Sequence, residues 1–107
     1  EATEPVAVAA LDRTLADEAV HRAFGWDALD EMLGMLGPVG VAWARELMPS
    51  WMASLRRAYG DGSTTCAAED RAWGLMPSAD YGRIRAACEA ETILPWFARR
   101  GVTEAAS

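Results

Sequence analysis

The residues best suited to chemistry are few and scattered. Glu18 and His21 have the E-x-x-H spacing of carboxylate-bridged metal bundles, which places both side chains on one helix face. Asp17 stands at i, i+4 from His21 and would be a third ligand. The chain has a single His, so no second motif completes such a shell, and the spacing predicts a solvated or ion-paired histidine with no metal. Cys66 and Cys88 are the only cysteines. Three readings stand: a disulfide worth about 3 kcal/mol by loop closure, a Cys66 thiol activated at a helix N-terminus, or two free thiols packed as small apolar groups. The first would place the chain in an oxidising compartment and the last in the cytoplasm, the latter slightly favoured.

The run Asp61-Gly62-Ser63-Thr64-Thr65 opens like a calcium loop. It then places Cys66 where glycine is required and Ala72 where the bidentate carboxylate belongs, so the match fails. Near Arg56 and Arg57 the same loop would suit a phosphate, but turn and helix cap are the default reading. No pair of titratable groups converges for acid–base work, so catalytic residues are none and enzymatic chemistry ranks last. No motif calls for a cofactor.

Apolar chemistry is more abundant. Five Trp and five Met occur in 107 residues, several interleaved as Met48, Trp51, Met52, Trp73 and Met76. Aromatic rings with flexible thioethers suit adaptable binding surfaces, and a domain this small cannot hide five indoles. Trp43, Met48, Trp51, Met52, Trp73 and Met76 are therefore the candidate partner-binding or ligand-binding residues. The segment from Leu29 to Leu36 also has the pattern of an amphipathic helix that docks in a groove, although a core would ask for the same side chains.

Charge adds a direction. The net charge is −6, and all of it falls within residues 1–46; the remainder is neutral. Such a balance disfavours nucleic acid and anionic lipid. It favours a protein partner with a basic patch, steered by Asp27, Asp30 and Glu31. The longest uncharged run, residues 32–44, is too short to span a bilayer.

The elements that must position these residues read as helices throughout. Pro5 opens a helix with Val8, Leu11, Leu15 and Ala19 on one stripe, and Gly25 is its expected stop. Asp27 then caps a second helix bearing Leu29, Met32, Leu33 and Leu36. Pro38 and Pro49 each begin another, since proline in a helix interior loses a hydrogen bond and clashes with the preceding turn. Thr64 or Thr65 caps a short helix, Pro77 and Ser78 start the next, and Pro95 begins a last turn closed by Gly101. The tetrad Leu47-Met48-Pro49-Ser50 recurs as Leu75-Met76-Pro77-Ser78, which reads as one helix-starting solution used twice. The expectation is a single all-α domain over residues 1–107, a compact irregular bundle of five to seven short helices with residues 1–4 and 102–107 frayed. Its expected role is non-enzymatic protein interaction, as inhibitor, adaptor or assembly subunit. The alternative is a carrier whose apolar pocket is lined by Trp43, Trp51, Trp73 and the methionines.

Overall fold

Pro5 fixes the first turn of α1, where its missing N–H costs nothing and its φ is already helical. From there α1 runs Pro5–Leu36 as one rod. The computed structural model describes residues 1–60 and 64–103, and all structural statements below concern these residues. After a turn at Gly37, α2 doubles back as Pro38–Ala58. A single helical turn, α3, follows at Ala68–Ala72. Then come α4 (Ser78–Cys88), a π-helical turn (Glu89–Ile93) and α5 (Leu94–Arg99), which succeed one another without a break. The described residues thus hold four helical rods and no strand, all-α as expected but with fewer and longer rods than five to seven.

Two of the expected breaks are absent for the same reason. The stripe Val8, Leu11, Leu15, Ala19 continues in phase through Trp26, Leu29 and Leu33, and these last three, just past Gly25, are half-buried against the rest of the fold, which keeps α1 helical across Gly25 and Asp27. An interior glycine costs only about 1 kcal/mol. Pro49 lies inside α2. Its cost of about 3 kcal/mol or more is opposed by burial of Gly40, Ala44, Met48 and Met52, one stripe at four-residue intervals that crosses the proline. Pro95 is also inside a continuous rod. The Leu94 N–H donates to the Glu89 carbonyl, an i→i−5 bond. This π-helical turn loosens the ladder just where the ring of Pro95 would press on the carbonyl four residues back. Pro5, Pro38 and Pro77 do begin helices, and Pro95 stands in the first turn of α5 although the rod does not break there.

The core is small. Ala44, Met48, Met52 and Val102 are buried together, flanked by half-buried Leu33, Val41, Ile93, Leu94 and Phe97. Val102 arrives there by a helix-ending motif. Gly101 takes φ 76°, its N–H donates to the Ala98 carbonyl, and the Val102 N–H donates to Phe97 at 3.0 Å. Arg45 Nε donates to the Gly101 carbonyl at 2.8 Å and pins this end to α2. Val102, expected to fray, is fully buried, whereas residues 104–107 lie outside the described part. Thr3 and Glu4 are also tied down: their N–H groups both donate to the Ala72 carbonyl, at 2.8 and 3.0 Å.

The end of α2 meets α4 through two glycines. Gly60 has φ 92°, and a Cβ built on it would fall 2.1 Å from the Gly82 Cα. A Cβ on Gly82 would meet the Gly60 carbonyl oxygen at 2.9 Å. Gly82→Ala is therefore expected to destabilise the fold by about 1 kcal/mol through overpacking, despite alanine's better helix propensity. Chemical denaturation checks it, and a gain in stability would contradict this close approach.

Candidate functional site

The aromatic residues converge where α1, α2 and α5 meet. Trp26 lies 5.3 Å from Trp96 in a tilted pair and 5.1 Å from Phe97 edge-on. Trp51 stacks on Phe97 at 6.1 Å. Arg100 covers Trp26 and Trp96 at 4.8 and 5.6 Å from the ring centroids. Its guanidinium is held by Asp30, through Nε to Oδ1 and through Nη2 to Oδ2 at 2.9 Å, and Nη1 donates to the Trp96 carbonyl. The Arg100 hydrogen bonds hold the Asp30 carboxyl below the usual carboxylate range. Asp30 is thus engaged in the fold, while Asp27 and Glu31 are exposed.

A cleft of about 450 Å³ opens beside this cluster, lined by Arg22, Gly25, Trp26, Leu29, Trp51, Ile93 and Phe97. On the other flank of Trp26 a smaller one of about 280 Å³ is lined by Arg22, Ala23, Asp27, Trp96 and Arg100 among others. A third, of about 320 Å³, lies between α2 and α4 against Leu55, Tyr59, Met76, Tyr81, Ile84, Cys88 and Ile93.

The six residues singled out by type do not form one surface. Met48 and Met52 are in the core, with 1% and 4% exposure. Trp51 sits at the aromatic cluster, and Met76 lines the cleft between α2 and α4. Trp43 and Trp73 are exposed and line none of these three clefts. None of the five indoles is buried. Sequence reasoning missed Trp26, Trp96 and Phe97, although Trp26 occupies a slot on the apolar stripe of α1.

A second polar centre lies at the π-helical turn. Glu89 is buried and receives two arginines. Arg56 from α2 donates from Nε at 3.1 Å and also from Nη2 to Oε1. Arg85 donates from Nη1 to Oε2 at 2.8 Å, while its Nε donates to the Tyr59 carbonyl at 3.0 Å. Hydrogen bonding from Arg56, with the charge of Arg85 in support, lowers the Glu89 pKa below its ordinary value of 4.5. Both arginines are committed to holding α2 on α4.

The remaining candidates are dispersed. Glu18 and His21 touch at 3.6 Å on the open face of α1, and no metal-binding group of three such residues occurs among the described ones. Cys66 and Cys88 are free thiols, so the candidate disulfide is absent. Cys66 faces the Leu75 carbonyl, and Cys88 is exposed in the last turn of α4. The calcium-like loop begins in residues 61–63, which lie outside the described part. No described helix is long and apolar enough to cross a membrane. Comparison of the chain with protein-family models, curated proteins and solved structures finds no match.

Proposed function

We propose that this chain is a non-enzymatic interaction domain that docks on another protein through the apolar flanks of the α1–α2 hairpin. One observation carries the reading. The chain exposes 7724 Å², whereas a compact protein of 11.5 kDa exposes about 5800 Å². Its radius of gyration is 16.9 Å, against about 13 Å for a compact domain of this length. The surplus, about 1900 Å², exceeds the roughly 800 Å² that each partner loses in an interface of standard size. Much of it is apolar: Val6, Val20, Phe24, Met35, Val39 and Trp43 are each more than 60% exposed. Around the hairpin turn, Met32, Met35, Leu36, Val39 and Trp43 are exposed within the uncharged run of residues 32–44. This density of apolar side chains marks interaction sites in soluble proteins.

The acidic surface of α1 would steer a partner bearing a basic patch. With Asp30 held by Arg100, steering falls to Asp27 and Glu31. Reversing both to Lys is expected to slow association about three- to tenfold at low salt, with the difference vanishing as salt is raised. Stopped-flow or surface-plasmon kinetics with the captured partner measures this, and rates equal to wild type would remove the electrostatic part of the reading. The docking itself is tested by affinity capture from the native host with wild type and with Trp43→Asp, a change at an exposed site that leaves the fold intact. A partner retained by wild type and lost by the variant supports docking; equal recovery rejects it.

A second reading, a carrier of small apolar ligands, is supported by the aromatic cleft of Trp26, Leu29, Trp51, Ile93 and Phe97. Its lining shares only Trp51 with the set expected from composition.

A further inference from the structure

The apolar stripe of α1 has one anomalous slot. Val8, Leu11, Leu15, Ala19, Trp26, Leu29 and Leu33 follow helical spacing, and the position between Ala19 and Trp26 belongs to Arg22. Arg22 lies at the rim shared by the two clefts that flank Trp26. Among the described residues each of the other arginines has a polar partner or, for Arg99, an indole face. Arg22 has no hydrogen bond, ion pair or ring contact there.

The floor beside it is open. Gly25, one turn along, has nothing within 4 Å of where its Cβ would stand. A glycine that neither turns the chain nor admits a close neighbour costs helix stability without a packing return. What its missing side chain does provide is room between Trp26 and Leu29 on α1 and Trp51 and Phe97 opposite. The volume, about 450 Å³, lies in the range of small-molecule sites.

We propose that this open cleft binds a small organic carboxylate with a flat apolar body, the body lying against the rings of Trp26, Trp51 and Phe97 and the Arg22 guanidinium receiving the carboxylate. The inference rests on the carrier reading and adds the charge requirement. A planar guanidinium matches a carboxylate in a two-pronged contact, and the other arginine near the cluster, Arg100, is already taken by Asp30. An aromatic floor favours a ring system over a flexible chain, since ring pairs gain from offset or edge contacts as well as burial.

The test is isothermal titration calorimetry of the whole chain with naphthaleneacetate and its neutral counterpart naphthaleneacetamide. Wild type should bind both, the carboxylate about fivefold or more tightly, a factor suited to a charge-assisted contact at a solvent-exposed rim. Arg22→Gln should erase that preference and leave the amide unchanged. Gly25→Leu, which fills the cleft while improving helix propensity, should abolish both, with circular dichroism confirming the fold. If both compounds bind wild type equally, or Arg22→Gln keeps the preference, the anion site is rejected and the apolar carrier reading survives. If neither binds, or Gly25→Leu binds as wild type does, both are rejected.

Discussion

Replacing Met48 by Ala is expected to lower stability by about 3 kcal/mol, in the middle of the range for truncating a buried Met. The side chain is 1% exposed and packs with Ala44, Met52 and Val102. A core this small has little capacity to close over the cavity. For a domain of about 100 residues that loss corresponds to a fall in melting temperature on the order of 12–24 °C. Met48→Leu, close in volume, should lose less than about 1.5 kcal/mol. Trp43→Ala, at a residue 63% exposed, should change stability by no more than about 0.5 kcal/mol. Urea denaturation of the three variants checks the ordering. A Met48→Ala protein as stable as wild type would mean that the buried cluster is not the core.

Glu89→Ala is expected to cost about 2 kcal/mol. This is below the roughly 3–5 kcal/mol that follows removal of one member of a fully buried pair, because Arg56 is half exposed and recovers water. The loss should loosen α4 from the end of α2 in particular, read as faster amide exchange over residues 78–88. The same group has a pH signature. Its folded pKa lies below the unfolded value of about 4.5 because Arg56 and Arg85 stabilise the carboxylate. Its contribution is therefore fully present above that value and is lost as pH falls through the folded pKa, where the unfolded chain already holds the proton. Wild type should accordingly lose more stability than Glu89→Gln between pH 5 and about pH 3. Parallel pH profiles for the two would show that the buried carboxylate contributes nothing linked to its charge.

Helical class was legible because nothing in the chain alternates like a strand and every apolar set has a period near 3.6. The number of rods was not. At Gly25 and Asp27 a stop signal and a cap signal coincide, yet the stripe from Val8 to Leu33 passes through them in phase. Local punctuation worth about 1 kcal/mol yields to an in-phase stripe that is half-buried from Trp26 to Leu33. The two Leu-Met-Pro-Ser tetrads make the same point. Pro77 follows Gly74, whose φ of 94° has already turned the chain, so it begins a helix. Pro49 follows a helix already formed from Pro38, with Met48 and Met52 buried on either side of it, so it is absorbed. Identical sequence, different surroundings, opposite outcome.

For the site, composition identified an excess of indole but not its arrangement. Met48 and Met52 share the exposed look of Met-rich surfaces only while their helix face is unknown; once α2 is one rod, both fall on its buried stripe. Trp26 and Arg22 were findable, since continuing the α1 stripe across Gly25 puts both in slots facing α2 and α5. Trp96, Phe97 and Arg100 depend on the fold-back of a segment some 70 residues away, which no local pattern encodes. The burial of Glu89 has no local sequence signal because, of its two arginines, Arg56 comes from across the fold and only Arg85 lies one turn back.

The central claim is that the exposed apolar flank of the hairpin is covered when the chain is at work. Hydroxyl-radical footprinting of tagged protein, purified and in native-host extract, measures this residue by residue through oxidation of Met and Trp. The account predicts that Met35 and Trp43 react strongly in the purified chain and are protected several-fold in the extract, with Met48 unreactive in both. Equal oxidation of Met35 and Trp43 in the two samples would contradict it.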